Sequence, residues 1–143
     1  MTGYSKTPLT IKLGVKETST LVLLHAPPTF SIAIPPSVKV RRRLQGRADV
    51  IIAFCSRSTV LERQIEALGR VIFPSGSLWI AWPKKSSGVS TDVTDHVVRE
   101  IALPLGLVDN KVCAIDETWT AMRVVWRLSR RVTFDANSER TRN

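Results

Sequence analysis

The chain has 143 residues, of which 43% are hydrophobic and 23% charged, and 21 Lys and Arg against 12 Asp and Glu give a formal charge of +9. These figures lie in the globular range and exclude an acidic disordered chain. The length suits one domain that buries about 68% of the surface its unfolded form exposes, and no apolar run approaches the roughly 18 residues a membrane span needs.

The first predicted element is a short helix, with Pro8 at its first position after Thr7 and Gly14 where a left-handed helix end falls. Thr20 to His25 (TLVLLH) is apolar on both faces, as a central parallel strand covered on both sides must be. Residues 26–37, bounded by two proline pairs, hold at most one helical turn. A second strand reads Val38 to Arg43, and a third, again apolar on both faces, Asp49 to Phe54.

The period then changes. Leu61, Ile65, Leu68 and Ile72 form a helical stripe, with Thr59 and Glu62 as a capping box at its start and Pro74 with Gly76 at its end. Ser77 to Trp82 is a fourth buried strand. After a polar loop, Pro83 to Ser90, a second helix starts at Thr91 or Asp92, carries Val93, Val97, Val98 and Ile101, and stops at Pro104. The fifth strand reads Lys111 to Asp116. In the sixth, Met122, Val124, Trp126 and Leu128 alternate with Arg123 and Arg127, so one side is wet.

This order predicts one α/β domain over 1–132, Rossmann-like, with a mostly parallel sheet of about six strands closed by an antiparallel hairpin. Residues 133–143 read as a frayed polar tail. The short link Glu117 to Ala121 makes the sixth strand antiparallel to the fifth, since a parallel return needs a dozen or more residues. Leu44 to Ala48 is too short for a helical crossover. The second strand is therefore reached by a bare extended crossover, or it is an antiparallel edge strand.

Cys55 and Cys113 make neither a disulfide framework nor a zinc spacing, which fits a reducing cytoplasm. The opening residues, with Lys6 and no apolar stretch before Pro8, do not read as a secretory signal.

Two stretches, Trp82-Pro83-Lys84-Lys85-Ser86-Ser87-Gly88 and Leu107-Val108-Asp109-Asn110-Lys111-Val112-Cys113-Ala114-Ile115-Asp116-Glu117-Thr118-Trp119, resemble an uncharacterised bacterial family of unknown function. Thr2-Gly3-Tyr4-Ser5, Lys12-Leu13-Gly14 and Val40-Arg41-Arg42-Arg43-Leu44 fit it too. The resemblance implies a bacterial cytoplasmic protein of one domain and implies no activity. The architecture is also similar to the sheet of class I methyltransferases that use S-adenosylmethionine. Those enzymes place a glycine-rich loop after the first strand and an acid at the end of the second. Here the loop is His25-Ala26-Pro27-Pro28, without glycine, and the acid's place falls on Arg43 or Leu44. Cofactor binding in the usual place is not expected.

Parallel α/β sheets bind ligands outside the carboxyl ends of their strands. If the first, third, fourth and fifth strands are parallel, that edge gathers His25, Cys55-Ser56-Arg57, Lys84-Lys85-Ser86-Ser87 and Asp116-Glu117. Lys84, Lys85 and Ser86 precede a helix and could hold an anion, with Asp116 and Glu117 opposite and Arg57 and His25 beside them. The plain alternative is that the lysines pair with Asp116 and Glu117. Asp116 and Glu117 as a catalytic pair, His25 as a base and a reactive Cys55 are each less economical than turn, packing and core roles. Trp82 and Trp119, at strand ends, either wall a pocket or pack the hairpin. His25 and His96 have no neighbour at metal spacing, so no metal site is supported.

The run Lys39, Arg41, Arg42, Arg43 and Arg47 suggests a polyanion such as nucleic acid, although bases on an edge strand also block edge-to-edge pairing. No nucleotide-loop, hydrolase-elbow or metalloprotease signature occurs. The residues thus point first to a small-ligand or anion-binding module with no assigned catalysis or cofactor. A polyanion-binding or partner-interaction protein using Arg41, Arg42, Arg43 and Arg47 is the alternative from another class, and a degenerate S-adenosylmethionine methyltransferase-like protein the third.

Overall fold

The computed structural model describes residues 8–131. Thr7, Val132 and the tail expected at 133–143 lie outside them. The elements are α1 (Leu9–Lys12), β1 (Thr20–Leu24), β2 (Lys39–Arg41), β3 (Val50–Phe54), α2 (Ser58–Ile72), β4 (Ser77–Pro83), α3 (Asp95–Ala102), β5 (Leu107–Ala114) and β6 (Trp119–Trp126). They form one six-stranded sheet in the order β2-β1-β3-β4-β6-β5.

β2, β1, β3 and β4 are parallel, and β6 is antiparallel to both β4 and β5. β5 therefore runs in the same direction as the parallel set, and the carboxyl ends of β1, β3, β4 and β5 share one edge. β2 is parallel to β1, with Leu21 opposite Val40. This resolves the expected ambiguity in favour of bare crossovers: neither 25–38 nor 42–49 contains a helix.

The apolar runs are buried on both faces, as their composition demands. On one face Val22, Ile51, Leu78, Ile80, Met122 and Val124 pack under α2 and α3, which contribute Leu61, Ile65, Leu68, Val98 and Ala102. On the other, Leu21, Leu23, Ile52, Phe54 and Trp79 are covered by Leu13, Val15, Phe30, Ile32 and Ile34 from the turn after α1 and the proline-bounded loop. Two hydrogen bonds pin that irregular cover, Trp79 Nε1 to the Leu13 carbonyl (3.0 Å) and Thr10 Oγ1 to the Ala33 carbonyl (2.7 Å).

Several expected boundaries move, each for a visible reason. Pro8 stands just before α1 rather than inside it, while Gly14 has the left-handed φ of +79°. The Thr59–Glu62 capping box does not form, because α2 starts at Ser58 and a distant carboxylate, Asp92, meets its donors. α3 begins at Asp95, capped by Thr94 Oγ1, which accepts from Val97 N at 3.2 Å, and not at Thr91 or Asp92. β5 starts four residues early, at Leu107. A register shift between Asp109 and Lys111 breaks the alternation, and Arg99 of α3 holds Asp109 at 3.1 Å. β5 ends at Ala114, because Ile115 N and Asp116 N both turn to the Trp119 carbonyl. β6 ends at Trp126, whose Nε1 donates to the Gly69 carbonyl at 2.7 Å. Leu128, expected on the inner face, is instead 70% exposed.

Candidate functional site

The strand order reverses at β1, which has β2 on one side and β3 on the other, all three parallel. In an open α/β sheet the crevice at such a point receives ligands. His25 closes β1 with a φ of +57°, a left-handed conformation that costs a non-glycine residue about 1–2 kcal/mol. Its Nε2 lies 3.0 Å from Gln64 Nε2 of α2. The Gln64 amide N–H is the donor of this contact. Gln64 Oε1 is then buried with no partner among the described residues.

Beyond β3 the chain runs Cys55-Ser56-Arg57 into α2. Cys55 is buried, and burial pushes its thiol up to about 11, so it belongs to the core and is no nucleophile at neutral pH. Ser56 and Arg57 form one wall of a cavity of about 410 Å³, with Thr59, Ser90, Thr91 and Asp92 as the rest. The loop after β4 folds back to make this enclosure. Thr91 Oγ1 donates to the Ser56 carbonyl at 2.7 Å, and Asp92 accepts from Ser58 N (2.8 Å) and Ser58 Oγ (2.7 Å). These two bonds, with Arg57 nearby, hold the Asp92 carboxyl below its ordinary range. The positive end of α2 is thereby neutralised from within, and the exposed Arg57 side chain and the hydroxyls face the opening in place of a free helix N–H group.

The two lysines after β4 part company. Lys84 Nζ donates to the Asp116 carbonyl at 2.6 Å and its backbone N–H to the Thr118 carbonyl at 2.8 Å, which ties the end of β4 to the β5–β6 hairpin. Lys85 and Ser86 are exposed on a 3-10 turn, Lys85–Ser87, that ends at Gly88. The Asp116 carboxylate faces its own turn, accepting from Thr118 N and Trp119 N at 2.8 Å each. Glu117 is exposed beside it. The structure thus brings Lys84 and Asp116 together at one edge, joined through a backbone carbonyl and without an ion pair.

Trp119 packs edge-on against Phe54 (5.1 Å between ring centres), and Trp82 is buried. Both serve the hairpin's packing. His96 pairs with Glu100 on the outside of α3 at 2.7 Å. Among the described residues, no group of three or more His, Cys, Asp or Glu could hold a metal ion.

The basic run lies at the opposite end of the sheet order, on and after β2. Arg42 and Arg43 are exposed, Arg41 Nη1 donates to the Gln45 carbonyl (2.7 Å), and Arg47 Nη2 reaches Ser75 Oγ (3.3 Å). Sequence reasoning missed Gln64, Ser90 and the tertiary roles of Thr91 and Asp92. The lone signal was a hydroxyl-rich run, Ser90-Thr91-Asp92, before a helix, and it pointed to the wrong helix.

The sheet order and these loops can be set against known proteins. A SAM dependent methyltransferase from Aquifex aeolicus superposes with a TM-score of 0.56 at 12% identity, over 80% of this chain and 85% of that one. The fold is methyltransferase-like. The fibrillarin pre-rRNA processing protein of Methanococcus jannaschii gives 0.51 at 15% identity over 78% and 68%. Against magnesium protoporphyrin IX methyltransferase from Synechocystis PCC 6803 with bound SAM, the TM-score is 0.48 at 12% identity over 62% of this chain; the chain spans about half of that protein's length (46%). No family model and no curated protein matches the sequence. At these identities the likeness is one of fold.

The fold raises S-adenosylmethionine as a cofactor, and the residues at its usual place do not fit it. After β1 come a left-handed His25 and Ala26-Pro27-Pro28, with no glycine to let the backbone approach a ligand. After β2 come Arg42 and Arg43, where an acid would hold ribose hydroxyls.

Proposed function

We propose that this chain is a small-ligand-binding α/β module that takes an anionic small molecule at the carboxyl edge of its sheet, with no catalytic role assigned. The observation that carries it is the cavity of about 410 Å³ beyond β3, walled by Ser56, Thr59, Ser90 and Thr91, by the guanidinium of Arg57 and by Asp92, whose carboxylate is engaged by Ser58 N and Ser58 Oγ. Its size lies within the range of small-molecule sites. Lys85 and Ser86, exposed at the start of the same loop, supply a further cation and hydroxyl, and His25 with Gln64 borders the crevice at β1. Lys84, Asp116 and Glu117 frame the far side, where Lys84 and Asp116 hold the hairpin in place. The motif resemblance and the cysteine usage favour a bacterial cytoplasmic setting for this module.

Native mass spectrometry of freshly isolated protein tests the assignment. A bound small anion that is lost in Arg57→Gln, with the thermal midpoint preserved, supports it; a ligand unaffected by that substitution refutes it.

The second reading, a degenerate methyltransferase-like protein with an altered cofactor pose, draws on the superposition with the Aquifex aeolicus enzyme over most of both chains. Isothermal titration with S-adenosylmethionine and its demethylated product separates the two readings. Heat with either compound favours the second, and silence with both removes it. A third, binding of a polyanion such as nucleic acid by Arg41, Arg42, Arg43 and Arg47, draws on the exposure of Arg42 and Arg43.

A further inference from the structure

The two edges of the sheet differ. β2 offers three residues, two of them basic, while β5 offers eight. Only the first half of β5 is covered: Leu107 is buried and Asp109 is held by Arg99. Past the register shift, Asn110, Lys111, Val112 and Ala114 are exposed, Val112 at 60%. Among the described residues, no backbone group of 111–114 hydrogen-bonds beyond β5 and β6.

A cavity of about 410 Å³ lies on the α1 face of the sheet next to this edge, lined by Lys111, Val112, Cys113 and Ala114 together with Trp79 of β4 and Lys12 of α1. Neither Lys12 nor Lys111 pairs with an acid among the described residues. The register assigns the faces. Lys111 stands in a row with Arg123 and Trp79, and Cys113 with Ala121 and Ala81, on the α1 side. Val112 stands with Met122 and Ile80 on the side of α2 and α3.

We propose that β5 is a docking edge for an extended acidic segment of a partner protein, which adds as a seventh strand beside residues 110–114. Main-chain hydrogen bonds supply the affinity of such an addition, and alternate side chains its specificity. Acidic residues at every second position meet Lys12 and Lys111 on the α1 side, and apolar residues between them cover Val112. A second copy of this chain fits less well, because each copy carries +9 and edge-to-edge pairing brings like charges together. None of these residues belongs to the crevice assigned above, so the two assignments stand or fall separately.

The test uses fluorescein-labelled Glu-Val-Glu-Val-Glu-Val and Lys-Val-Lys-Val-Lys-Val peptides, read by anisotropy and by amide hydrogen exchange. The acidic peptide is expected to bind saturably and to slow exchange at 110–114, and the basic one to do neither. Lys12→Glu with Lys111→Glu weakens binding about tenfold, since two attractive pairs become repulsive. The neutral pair Lys12→Gln and Lys111→Gln gives a smaller loss in the same direction. No binding, affinity indifferent to both pairs, protection confined to another segment, or self-association through 110–114 in sedimentation would each overturn the assignment.

Discussion

Lys84 and Lys85 are neighbours in the chain with different duties, and substituting them singly exposes the difference. The Lys84 ammonium donates to the Asp116 carbonyl at 2.6 Å and ties β4 to the hairpin. A hydrogen bond from a charged group contributes about 1.5–3 kcal/mol, and its exposure here reduces that to about 1 kcal/mol. Lys84→Met keeps the aliphatic stem and loses the bond, so the thermal midpoint should fall by about 3–5 °C for a chain of this size. The Lys85 side chain has no hydrogen bond or ion pair among the described residues, its carbonyl alone accepting from Gly88 N, and Lys85→Ala should stay within about 0.5 kcal/mol of the parent. The assay is a calorimetric melt of each single variant, followed by native mass spectrometry for retained small molecules. Lys84→Met is expected to melt early and keep its ligand, and Lys85→Ala to melt normally and lose it. A Lys85→Ala variant destabilised as much as Lys84→Met would refute the division of labour, as would a neutral Lys84→Met.

Three further outcomes follow from other parts of the molecule. Asp92 has a lowered carboxyl pKa, so its contribution is present above the unfolded carboxylate value near 3.9 and is lost as pH falls through the lower folded value. Urea melts of Asp92→Asn should therefore trail the parent at pH 6 and converge with it toward pH 2; a constant gap would contradict this. Trp79→Phe leaves the Leu13 carbonyl without its buried donor and removes part of the ring, at a cost of about 2–3 kcal/mol by denaturant titration. An unperturbed midpoint would mean that α1 does not depend on that bond. If the run after β2 binds nucleic acid, Arg42→Ala with Arg43→Ala should flatten the dependence of log affinity on log salt by about two units. An unchanged slope would assign those arginines to blunting the sheet edge.

Part of the candidate site was legible in advance. Any chain whose parallel strands end at Leu24, Phe54, Pro83 and Ala114 must deliver the residues that follow to one edge, and His25, Ser56, Arg57, Lys84 and Asp116 do arrive there. Their partners could not be read. Lys84 chose a carbonyl 32 positions away, and Asp116 turned inward to its own hairpin. Gln64 joins the crevice only because α2 lies across the end of β1, a relation no local pattern encodes.

Strand character at Thr20–Leu24, Val50–Phe54 and Ser77–Trp82 followed from composition alone, since a run apolar at every position after its first residue has nowhere to go but the middle of a doubly covered sheet. The α2 stripe was equally local, because Leu61, Ile65, Leu68 and Ile72 repeat at the helical period. Tertiary structure alone decided that β2 is parallel, that Asp92 caps α2 instead of its own helix, and that Asp109 tolerates a strand by pairing with Arg99. The physical reason is common to all three. Periodicity reports which side of an element avoids water, whereas direction, capping and charge pairing depend on groups 10 to 34 residues apart that meet only once the sheet has assembled.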